Sequence, residues 1–201
     1  MGAPNQAQGA PKTPMDEELS DWELQDNESP TPPDITPKLF AAWRSPRLGA
    51  DNPERLDNPV WNWLIRTKIC AYSASARMGE FSVFALGPGW SFQRHGRTVT
   101  ELADGRFVMV GGEHEDSYDP DFFIYNDVVV KHQDGRLEIY GYPREVFPPT
   151  DFHSATLLGN SILIGGSLGY LEDQKPWLTP VHLLDLETFG IGQVETHGAG
   201  P

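Results

Sequence analysis

Between Glu113 and Asp121 the chain sets five carboxylates (Glu113, Glu115, Asp116, Asp119, Asp121) and one imidazole, His114, within nine residues. Oxygen donors at this density suit a hard cation such as Ca²⁺, which takes about six to eight of them. The intervals are not those of an EF-hand, and no second histidine stands at a zinc-like spacing from His114. A solvated acidic loop explains the same residues, so Ca²⁺ at 113–121 is the one cofactor the sequence admits and not one it demands. A second polar group, Arg94, His95 and Arg97, comes just upstream. Together with the acidic run it forms the expected contact surface for a protein partner. No Gly-x-Ser-x-Gly elbow, phosphate-binding loop or Cys-x-x-Cys pair is present. Carboxylates fit for acid–base chemistry abound, but spacing alone places no two across a pocket, and no catalytic residue is assigned.

Charge narrows the partners further. Against 29 Asp and Glu stand 15 Lys and Arg, a net charge of −14. Such a chain repels a phosphate backbone and an anionic membrane surface, which argues against nucleic acid and membrane partners. Basic protein surfaces and cations are the permitted partners. The single cysteine, Cys70, excludes an intrachain disulfide framework and fits a reducing compartment. With no secretory leader and no long apolar run in the sequence, a cytoplasmic location is expected.

Three stretches must position these groups. Residues 1–37 are rich in proline, and up to residue 36 they carry eight acidic side chains against one basic. Too few apolar groups are available there to offset the entropy of ordering, so a disordered acidic tail is expected. Residues 38–79 read as a helical cap. Asn58 suits an N-cap, Pro59 suits the first helical position, and Trp61, Leu64, Ile65, Ile69 and Tyr72 keep a helical rhythm that Gly79 can end. From residue 80 to 201 short strands and turns take over. Asp104-Gly105 is read as a turn between strands at 97–102 and 106–111, and Gly159-Asn160 as one between 153–158 and 161–165. Third strands are expected at Asn126–His132 and Pro180–Asp185, fourth strands at 137–141 and 189–195, and an edge strand at Glu80–Leu86.

The two sets of strands are a repeat. Each centres on a glycine doublet, Gly111–Gly112 and Gly165–Gly166, that closes an apolar strand, and the doublets are 54 residues apart. A strand-built period near 50 marks a propeller blade. The second copy reads His153-Ser-Ala-Thr-Leu-Leu158, a turn, then Ile162-Leu-Ile-Gly-Gly166. The first has Gly96, Thr98, Thr100, Leu102, Asp104, Gly105, Val108, Val110 and the doublet, with Arg97 in the place of the histidine. With Tyr125-Asn126-Asp127-Val128, these residues resemble the kelch family, related in fold to the propeller of galactose oxidase. The family's late tryptophan is missing; Ile139 and Ile191 stand near its place.

The resemblance implies a mainly β chain of two four-stranded blades, with the doublets and His153 in structural positions and blade loops as a binding surface. A copper oxidase site does not carry over, because the Tyr–Cys pair it needs has only Cys70 to draw on, outside the repeats. Propellers close with about four to eight blades. Moreover, His197-Gly-Ala-Gly-Pro201 resembles Leu86-Gly-Pro-Gly-Trp90, the lead-in to the first copy. The expectation is therefore an incomplete propeller: a piece that continues in a longer protein, which is the favoured reading, a ring closed by self-association, or a two-blade stack capped by the 59–77 helix. Its expected role is a non-catalytic scaffold; the alternative is an enzyme or carbohydrate site at a propeller axis, with His153 and Arg97 facing the channel.

Overall fold

The computed structural model describes residues 29–56, 58–80, 87–116, 119–174 and 178–197, with the backbone alone over 116 and 119–121. Its elements are helices α1 (Pro37–Trp43), α2 (Pro59–Thr67) and α3 (Ala71–Arg77) and eleven strands. The strands are β1 (Glu54–Arg55), β2 (Thr98–Glu101), β3 (Phe107–Val110), β4 (Glu113–Asp116), β5 (Asp119–Ile124), β6 (Val128–Lys131) and β7 (Leu137–Gly141), then β8 (Ser154–Leu158), β9 (Ser161–Gly165), β10 (Val181–Asp185) and β11 (Ile191–Gln193). The fold is mainly β. Strands β2, β3, β6 and β7 form an antiparallel meander to which β1 adds a fifth strand, and β8 to β11 form a second, four-stranded meander. β4 and β5 make a separate hairpin inserted between β3 and β6. The sheets do not close into a ring among the described residues.

Alternation along the strands decides the layering. In β3 and β6, Val108, Val110, Val128 and Val130 bury one way, against Ile162, Ile164, Leu184 and Ile191 of the second sheet. Met109 and Val129 bury the other way, with Ile139 of β7, against Trp61, Leu64 and Ile65 of α2. The first sheet is thus covered on both faces, which is why its central strands are continuous apolar runs. Each fully buried Val, Leu or Ile contributes about 1.5–3 kcal/mol. The second sheet is buried on one face only. Leu163 pairs with Leu183 and Thr156 on its other face, and Leu183 is exposed.

Local chemistry sets the helices. The Thr36 hydroxyl accepts from Leu39 N and the Asn58 side chain from Val60 and Trp61 N, each just ahead of a proline at the helix start. The single long helix expected from Pro59 onward is two. Lys68 turns left-handed (φ 55°), and the Cys70 sulfur caps α3 by accepting from Ser73 N. The reversal buries Ile69 together with Ala71 and Ala74. Gly79 ends α3 with φ 78°, as its position suggests.

Two other expectations change. Residues 29–37, expected within the disordered tail, are ordered, since Ile35 is in the core and Arg77 donates to the Ser29 carbonyl at 2.7 Å; residues 1–28 lie outside the described residues. The acidic stretch after the first doublet is not an open loop but the β4–β5 hairpin. The edge strand expected at Glu80–Leu86 falls on residues 81–86, also outside the description. No helix among the described residues is long and apolar enough to cross a membrane.

One close approach ties the helical layer to the sheet edge. Gly49 N donates to the Tyr142 carbonyl at 3.1 Å, and a Cβ on Gly49 would lie 2.3 Å from the Gly141 carbonyl carbon. Backbone on both sides leaves nothing to yield. Gly49→Ala is expected to cost roughly 1–3 kcal/mol by overpacking, and urea unfolding will show it. Gly192→Ala, which opens into empty space, should stay within ~0.5 kcal/mol. Equal midpoints for the two variants would mean that the contact at Gly49 does not hold the layer.

Candidate functional site at the glycine-doublet end

Both doublets emerge at one end of the sheets. Gly112 N donates to the Thr150 carbonyl at 2.8 Å, and Phe152 N donates to the Gly96 carbonyl at 2.7 Å, so the lead-in to β8 is stitched to the first doublet and to the lead-in to β2. A Cβ on Gly111 would sit 2.3 Å from the Thr150 oxygen. With φ of 56° at Gly111 and 92° at Gly112, only glycine fits this turn.

Of the sequence-predicted contact residues, Arg94 is not on the surface. Its side chain is 3% exposed and that of Asp127 4%. The guanidinium grips both carboxylate oxygens of Asp127 and donates from Nε to the Ser91 carbonyl at 2.7 Å. It also lies over the Tyr125 ring, 3.4 Å from the centroid. Asp127 further accepts from Trp90 Nε1 at 2.8 Å, and Trp90 stacks on Trp61 of α2 with centroids 4.9 Å apart. Arg94 therefore has a structural role. Arg97 is turned inward as well: it donates to the Phe92 carbonyl and lies over the Phe92 ring. Burial, with Arg94 nearby, brings its pKa down to about 9.

His95 is exposed and pairs its backbone with Glu113. Glu113 faces a carboxyl that sequence reasoning missed, Asp151. Burial first, then the hydrogen-bonded Asp151 carboxyl, pushes the Glu113 pKa up, while His95 pulls it down. Asp151 Oδ1 also accepts from Gly169 N at 2.6 Å, fixing the loop after the second doublet. Such a pair can hold a proton. The adjoining cavity is lined by Thr150 and Gly169 and by neither carboxyl. His153 Nε2 meets the Thr98 hydroxyl at 2.8 Å and so links the lead-in of β8 to β2. His114 Nδ1 meets the Gln93 carbonyl at 3.0 Å, and Glu115 is exposed. Asp116, Asp119 and Asp121 lie on the hairpin, their side chains outside the description. Among the described residues no group of three His, Cys, Asp or Glu is placed to hold a metal.

A second tyrosine organises the outer part. Tyr170 Oη accepts from Ile124 N at 2.9 Å, meets Phe122 edge-on, and carries Arg144 over its ring. Hairpin, β7–β8 loop and β9–β10 loop thereby share one anchor. Around it stand exposed apolar side chains, Phe152, Leu168, Leu171 and Leu178, with Leu171 83% exposed. Phe152 holds a left-handed backbone (φ 47°), uncommon for an aromatic residue. No protein-family model matches the chain, and no curated protein is significantly similar to it.

Two tests follow from this geometry. Asp127→Asn leaves the Arg94 guanidinium buried and unneutralised, which is expected to cost about 3–5 kcal/mol, read as a fall in the urea midpoint. Burial, opposed by Asp151, lowers the His153 pKa from 6.5 to about 4. The unfolded chain then takes up this proton before the folded one does, so stability falls as pH drops from 6.5 toward 4. His153→Gln should flatten that fall by up to ~3 kcal/mol. Unfolding curves that keep the same pH slope in the variant would remove His153 as their cause.

Proposed function

We propose that this chain is a kelch-type propeller segment of two blades, the first widened by β1, and that it acts as a non-catalytic scaffold for a protein partner. The carrying observation is how the two meanders meet. They pack face to face with β2 and β8, the first strand of each, side by side, as blades do around an axis. The α1–α3 layer covers the face of the first sheet that a neighbouring blade would take. The partner surface is the glycine-doublet end, where Phe152, Leu168, Leu171 and Leu178 expose apolar area beside Glu113, Glu115, Glu145 and Glu172. Apolar groups rimmed by charge are a common mark of interaction sites. Its acidity selects basic surfaces, in line with the net charge of −14.

Tagged wild-type protein, a doublet-end variant (Leu168→Ser with Leu171→Ser) and an opposite-end variant (Asp104→Asn with Asp134→Asn) would each be used to capture partners from the source cell. A defined set held by wild type and the opposite-end variant, but lost by the doublet-end variant, is the expected result. Identical sets for all three would overturn this placement of the surface.

A further inference from the structure

Beside the second doublet lies a cavity of about 310 Å³, framed by the β7–β8 and β9–β10 loops. One wall is apolar, with Pro148, Pro149 and Leu178; the polar lining includes Glu145, Gln174 and His182. His182 is 7% exposed, and among the described residues its ring makes an edge-on contact with Phe147 and no hydrogen bond. A ring nitrogen on the cavity wall with no hydrogen-bond partner among the described residues is open to a ligand atom. Burial also lowers the pKa of this imidazole, keeping it neutral with one nitrogen as an acceptor. The Gln174 amide nitrogen is already committed to the Leu168 carbonyl at 2.7 Å, which leaves its oxygen to accept. Nearby, Arg144 is held between Glu172 and Asp173.

We infer that this cavity receives an arginine side chain of the partner, its stem along Pro148, Pro149 and Leu178 and its guanidinium among Glu145, Gln174 and His182. The inference rests on the scaffold reading and deepens it. Among the described lining residues Glu145 brings a carboxylate and Gln174 and His182 each an acceptor, beside the hydroxyls of Thr150 and Ser167, and a guanidinium is the side chain that offers five donors and no acceptor. Its planar fork serves several acceptors at once, where lysine brings a compact point charge. A cavity at the lower end of the small-ligand range, about 300–1,000 Å³, suits one side chain better than a larger cofactor.

The probe is a dye-labelled pentapeptide, Gly-Leu-Arg-Leu-Gly, and its twin with citrulline, which keeps the shape and removes the charge. Both are titrated into the full chain to millimolar concentration, by anisotropy and by NMR of the His182 ring. Saturable binding of the arginine peptide with movement of the His182 signals is expected. The citrulline twin, and the arginine peptide on Glu145→Gln, should each bind about tenfold more weakly, as for loss of a charge-assisted contact. Glu145 is exposed, so that variant folds. Absence of saturation, equal affinity for the twin, or binding that leaves His182 unmoved overturns the inference. The partner-capture result separates the two readings: capture that depends on the doublet end with no arginine preference keeps the scaffold and removes this site, whereas capture indifferent to that end removes the partner surface on which the site depends.

Discussion

A buried charge pair holds this architecture in register. Arg94 and Asp127 are both withdrawn from water, and their attraction alone does not ensure a net gain over their desolvation. What the pair provides is connection. Asp127 stands directly ahead of β6, and its carbonyl accepts from Gly111 N, while the Gly111 carbonyl accepts from Arg94. The first doublet is therefore clamped from both sides. Trp90 carries the same carboxylate to the helices through its stack on Trp61, and the Tyr125 hydroxyl accepts from Ser91 N. Removing either charge would leave the other buried without a partner, so lead-in, doublet, third strand and helical layer depend on one another.

That dependence explains why the two repeats differ. The first sits between two apolar layers and can keep its doublet in place with a buried ion pair. The second sheet has one covered face, and its lead-in is positioned by contacts to the first repeat: His153 to Thr98, Phe152 to Gly96, Thr150 to Gly112. Its doublet-following loop is in turn fixed by Asp151 and Tyr170. The second unit is templated on the first, so similar local sequences occupy unequal environments.

What could be read from the chain follows the range of the interactions involved. Strands β2, β3, β8 and β9 were legible because alternation, turn residues and the doublets are all local signals. Asn58 and Pro59 marked the start of α2 for the same reason. The break at Lys68 carried no glycine or proline, and only the burial of Ile69 explains it. Strand β1 is two residues long and exists because β7 offers an edge, Glu54 pairing with Gly141. The acidic run looked like a loop because carboxylates have low strand propensity; the aromatic pair Phe122-Phe123 in β5 was the signal for a hairpin. Arg94 looked like a surface cation because its partner Asp127 is 33 residues away. His95 and Glu113 did meet, but Asp151 joins them from the far lead-in, beyond the reach of any spacing rule.

The same contrast of local and long-range contacts separates the two ends of the sheets. At the hairpin-turn end, polar groups satisfy their own turns: Asp104 accepts from Arg106, and Asp134 from Arg136 N. Such turns are complete in themselves. At the doublet end the loops are held by contacts between repeats, and that scaffold of Thr150, Asp151 and Tyr170 leaves side chains over. Leu168, Leu171 and Leu178 stay in water, Glu145 is outside the Arg144 cluster, and the His182 ring faces a cavity. Loops held by contacts between the two sheets thus leave apolar and acceptor groups exposed at this end, and in such an arrangement less ordering is needed on binding than in a loop without such contacts.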